Sequence, residues 1–133
     1  MIPPSLARWA FRSMAVTICA FAALKGVLIL ATAGDRWHPP TYATALEAPG
    51  GHVMWGAAIL AFGLAGLVGI AARKPLLAAW SLGLAGAWSV FFALTFVLSA
   101  LRSPTSSLDP FSTQVLVAVM CLLTAATYRA GRR

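Results

Sequence analysis

Lys25 is the residue of this chain whose type and position most demand a chemical explanation. It lies inside the apolar run Phe11–Ala33, eight residues before Ala33. In a helix rising 1.5 Å per residue, that is roughly 12 Å from the end of the run. A cation so placed in a membrane is costly and by default marks function, unless its long stem carries the ammonium back toward water. The three acids, Asp35, Glu47 and Asp109, all fall outside the apolar runs and on one side of them. Lys25 is therefore expected either to snorkel, bonded to carbonyls or water, or to line a wet or weakly packed path.

Other reactive residue types form no pattern with a chemistry attached. His38, His52, Asp35 and Glu47 share the same side and could in principle meet around a metal, but their spacing matches no zinc motif. Met54 beside His52 makes an even weaker copper site. Cys19 and Cys121 both lie inside apolar runs at similar depth, with no CxxC, and are expected to behave as small hydrophobes. No Ser/His/Asp set, paired carboxylates or phosphate-cradling loop is present. The sequence points to no enzyme, no cofactor and no metal. It also offers no intramembrane polar cluster of the kind a coupled transporter uses.

Four long apolar runs must position these residues: Phe11–Ala33, His52–Ala72, Pro75–Leu101 and Pro110–Tyr128. Each is near or above the ~20 residues a helix needs to cross a bilayer core. Sixty per cent hydrophobic residues, ten per cent charged, and a mean hydropathy of +0.84 fit no soluble domain of this size. Inside lipid the backbone must satisfy its own hydrogen bonds, which leaves helices or a closed barrel. Barrel strands alternate in polarity and these runs do not. The expected fold is an all-α integral membrane bundle of four transmembrane helices, forming one domain over residues 1–133.

Seven of the ten basic residues, Arg8, Arg12, Arg73, Lys74, Arg129, Arg132 and Arg133, fall on one side of these runs. The positive-inside rule puts that side, with both termini, in the cytoplasm, and makes the cytoplasmic membrane the expected location. A pI near 10.8 reflects charge at helix ends, where anionic head groups are the nearer partner, and no basic face suits nucleic acid. Trp9 and Tyr128 fit one interfacial belt and Trp37, Tyr42 and Trp55 the other, while Trp80 and Trp88 read as packing or lipid contacts. Ala31-Thr32-Ala33 before Gly34 fits a signal-peptide cleavage pattern, but the run is long for a signal core and Lys25 interrupts it.

Connections carry their own signals. Pro39-Pro40 and Pro49-Gly50-Gly51 bracket Thr41–Ala48, which is expected to form one or two helical turns on the membrane surface. Arg73-Lys74 is so short that the runs it joins must be antiparallel neighbours, with Pro75 in the first turn of the next helix. Asp109-Pro110 reads as an N-cap followed by Pro at the first helical position. Small residues recur at four-residue spacing: Ala57, Ala61, Ala65 and Gly69, then Ala79, Gly83 and Ala87, with Ser81, Ala85, Ser89 and Ala93 on another face. Such rows let backbones approach, and packing is what associates helices in lipid. Leucine at Ala65, Gly69 or Gly83 is therefore expected to disturb helix contacts, whether inside one chain or between copies.

Leu24-Lys25-Gly26, Pro49-Gly50-Gly51 and Trp55-Gly56, in this four-run layout, resemble small four-span membrane proteins of actinobacterial phages and prophages, many assigned as holins. The basic end Arg129-Ala130-Gly131-Arg132-Arg133 is similar to the tails of such proteins. The resemblance implies a non-enzymatic, self-associating permeabiliser of a phage lysis system, with the lipid bilayer and further copies as partners. The alternatives are an accessory or scaffold subunit of a larger membrane complex, or a small DoxX-like, transporter-type protein. Reporter fusions after residue 40 and at the C-terminus should report opposite sides of the membrane; the same side for both would contradict four spans.

Overall fold

Runs rich in alanine and leucine, both strong helix formers, produce an all-helical chain. A computed structural model describes the backbone of residues 4–36, 41–105 and 109–130 and the side chains of 6–32, 41–105 and 111–128. Its helices are α1 (Pro4–Arg36), α2 (Ala43–Glu47), α3 (Gly51–Ala71), α4 (Pro75–Arg102) and α5 (Asp109–Ala130). All except the five-residue α2 are long and apolar enough to cross a membrane.

Helix boundaries differ most at the start. α1 begins at Pro4 rather than near Phe11, because proline is tolerated in the first turn and nothing from Ser5 to Ala10 breaks a helix. Pro75 opens α4 as the sequence suggests, and α2 occupies the middle of the expected Thr41–Ala48 segment. α5 starts at Asp109, whose side chain, and with it any capping bond, lies outside the described residues.

α1 packs along α3, α4 along α5, and α3 against α4, while α1 meets α5 only briefly and α2 rests on α4 and α3. The glycines explain the first of these contacts. A Cβ on Gly63 would lie 2.5 Å from the Ala23 nitrogen and 2.8 Å from the Cys19 carbonyl oxygen. One on Gly26 would lie 2.6 Å from the Leu60 nitrogen and 2.8 Å from the Gly56 carbonyl oxygen. The two backbones touch, an approach open only to residues without a side chain.

The predicted small-residue rows divide between inside and outside. Gly69 abuts α4, where a Cβ would meet the Ala78 nitrogen at 2.7 Å, but Ala65 is half-buried and Ala57 and Ala61 face outward. On α4, Ala79 is buried, Ala87 is exposed, and a Cβ on Gly83 would meet nothing within 4 Å. The row buried along α4 is instead Ser81, Ala85, Ser89 and Ala93. Four-residue spacing identifies a face without saying which way it turns.

Gly63→Ala should destabilise the protein by roughly 1–3 kcal/mol, since its methyl has only backbone to push against. Gly83→Ala should be neutral or slightly stabilising, because alanine is the better helix former. Thermal unfolding in detergent checks both, and equal effects would contradict this packing.

Candidate intramembrane polar site

Two of the buried hydroxyls are satisfied on their own helix. Thr95 donates to the Phe92 carbonyl and Thr124 to the Met120 carbonyl, each at 2.7 Å. Such back-bonding removes a hydroxyl from consideration as a site. Lys25, Trp88, Ser89 and Gln114 are different. They come from α1, α4 and α5 and line one small, partly open cavity, which Ile29, Trp55, Ile59 and Phe92 complete. Ser89 and Gln114 are buried and Lys25 half-buried. Trp88 Nε1 is the buried side-chain donor left without a partner among the described residues.

The cavity, about 10 Å³, is water-sized. A buried water needs two to four polar partners and about that much space. The lining supplies an indole N–H, an ammonium, a hydroxyl and a carboxamide, with donors in excess of acceptors. Lys25 has no hydrogen bond or ion pair to any described residue. What the site can hold is one small hydrogen-bond acceptor.

Aromatic rings close the cavity toward the α2 end. Trp55 stacks on Phe92 with ring centres 4.9 Å apart and lies 4.9 Å from Trp88. Phe92 contacts Phe96 at 5.1 Å, and Tyr42 meets Phe96 edge-on at 5.3 Å. Trp55 Nε1 donates to the Ala45 carbonyl at 2.9 Å, which fixes α2 over the ring. Trp55 is thus buried beneath α2. Burial also pushes the Tyr42 phenol above its ordinary range.

Two further links hold α2 to the end of α4. The Ser99 hydroxyl donates to Thr44 Oγ1 at 3.1 Å and accepts from the Thr44 N–H at 3.3 Å. Arg102 pairs with Glu47 at 2.6 Å, although both side chains are more than half exposed and the pair alone contributes ~0–1 kcal/mol. At the turn into α3, Gly50 and Gly51 adopt φ of +82° and +50°, which glycine takes without strain.

Several residues singled out in the sequence converge here. Gly26 meets Gly56 where α1 crosses α3, and Lys25 and Trp55, the residues just before them, line the same cavity. Ser89, Gln114 and Trp88 were not expected to join Lys25, and together they make the polar cluster that the sequence lacked in any one span. Gln114 is the amide-bearing residue of the four runs, and that chemistry was the available signal. Elsewhere, Cys19 and Cys121 are buried free thiols. Of the four residues weighed for a metal, Asp35 and His38 lie outside the described side chains, and Glu47 is engaged by Arg102.

No family model, curated protein or solved structure matches this chain.

A charge held among apolar side chains costs stability, so Lys25→Met, which retains the stem, should raise thermal stability in detergent. A fall in stability would make Lys25 a structural residue.

Proposed function

We propose that the chain is a non-enzymatic, multi-pass protein of the cytoplasmic membrane, with both termini inside, that self-associates and permeabilises the bilayer in the manner of a phage holin. The observation that carries this reading is the outward small-residue surface: Ala57 and Ala61 on α3, and Ala87 with the open space at Gly83 on α4. The bundle leaves these faces unused, and small faces are where helices of a second copy approach closely in lipid.

Permeabilisation needs polar groups that can line water, and here they are held inside. Where α1 meets α5 only briefly lies an open apolar groove of about 250 Å³, walled by Ile18, Phe21, Thr113 and Val117. Lys25 is one turn from Phe21, and Gln114 adjoins Thr113. Separation of α1 with α3 from α4 with α5 would uncover Lys25, Ser89 and Gln114 together. Association through the outer faces is the event that drives that separation.

The same cavity favours a second reading, a small transporter-type or accessory protein whose polar site receives a solute or a partner's polar group. The two differ in what the outer faces do. Ala61→Leu leaves the bundle interior alone, so under the first reading it should abolish self-association without lowering the monomer's thermal stability. Controlled expression in a bacterial host with a membrane-potential dye should show collapse at a definite time, delayed or abolished by Ala61→Leu and shifted by Lys25→Leu. Normal potential at high, membrane-localised expression would leave the second reading ahead.

A further inference from the structure

The bundle end where α1 starts and α5 finishes holds a second site, made by residues far apart in sequence. Arg12 from α1, Arg73 from the α3–α4 turn and Tyr128 from α5 line one shallow, open cavity of about 250 Å³, with Gly69, Ile70 and Pro75. Both arginines are exposed, and neither has a carboxylate partner among the described residues. Two cations and a phenol converge where no carboxylate among the described residues answers them.

The backbone at Arg73 adds an independent observation. α3 ends in a Schellman turn, with the Lys74 N–H on the Gly69 carbonyl at 2.7 Å and the Arg73 N–H on the Ile70 carbonyl at 3.3 Å. The residue between cap and turn takes φ +54°, a position usually given to glycine. An arginine here accepts local strain, and the turn aims its side chain into the cavity that Arg12 and Tyr128 share.

We propose that this cavity binds the head group of an anionic phospholipid: Arg12 and Arg73 hold the phosphodiester, the Tyr128 hydroxyl donates to it, and the apolar lining receives the glycerol ester region. Guanidinium suits this task because its planar donors match phosphate oxygens in pairs. The apolar lining favours a lipid over free phosphate, which has no use for it. Basic pockets between transmembrane helices are recognised settings for such head groups. The proposal rests on the four long helices being membrane spans, and is independent of whether the protein permeabilises.

The test is native mass spectrometry of the detergent-solubilised full chain with added dioleoylphosphatidylglycerol or dioleoylphosphatidylcholine. Wild type should retain the anionic lipid preferentially. Arg12→Gln and Arg73→Gln should each weaken that retention about fivefold, the fold-change equivalent to ~1 kcal/mol per basic residue at an anionic surface. Lys74→Gln, which removes an adjacent charge outside the cavity, should change it little. Arg73→Gly separates binding from folding: it relieves the positive φ and should raise thermal stability while still losing lipid. Equal losses from Lys74→Gln and Arg73→Gln would reduce the site to general surface charge and overturn the proposal. Displacement of the lipid by millimolar inorganic phosphate as readily as by sn-glycerol 3-phosphate-headed lipid would overturn the assignment to lipid. Flotation with phosphatidylglycerol vesicles after an alkaline wash tests the spans separately. Failure to float sinks the membrane reading, whereas flotation without lipid selectivity sinks this site alone.

Discussion

The contact between the α1 and α3 backbones is what the rest of this bundle depends on. Apolar helices in lipid gain little from burying more hydrocarbon, so close packing must hold them together. Gly26 and Gly63 bring the two helix backbones within distances that a Cβ would forbid, and a Cβ on Gly56 would meet the Leu30 and Ile29 side chains. That crossing fixes the rotation of α1, which turns Lys25 away from the exterior and toward Gln114 and Trp88. It also brings Trp55 under α2, whose links to Ser99 and Arg102 close the end of the cavity.

Polar chemistry in this protein is consequently a property of the assembly. Each of α1, α4 and α5 contributes isolated polar groups that are affordable in its own span, and only the packed bundle places them around one space. Where α1 borders α5, that space is flanked by far less helix contact than α1 makes with α3 or α4 makes with α5. A charge at Lys25, half-buried among apolar helices, is expected to cost the bundle stability.

The sequence was most legible where a single helix or turn decides the outcome. Hydropathy located the four long helices, proline and glycine located α2 and the turns beside it, and Lys25 stood out by charge alone. Legibility ended where rotation between helices decides. Nothing in the spacing of Ala57, Ala61 and Ala65 says that the row faces outward, or that Ser81, Ala85, Ser89 and Ala93 form the buried row of α4. Ser89 read as one more small residue and Trp88 as packing, because their meeting with Lys25 needs three helices. Trp55 sits where an interfacial belt would, and only the placement of α2 above it makes it a core residue.

The central proposal is that the polar cluster is packed between the helices in the monomer and uncovered on association. The direct measurement is labelling of Gln114→Cys by a membrane-impermeant maleimide, with Cys19 and Cys121 replaced by alanine. Expressing cells are sampled before and during collapse of the membrane potential. The account predicts protection beforehand and labelling that rises with the collapse. Labelling from the outset, or protection maintained through a complete collapse, would contradict it.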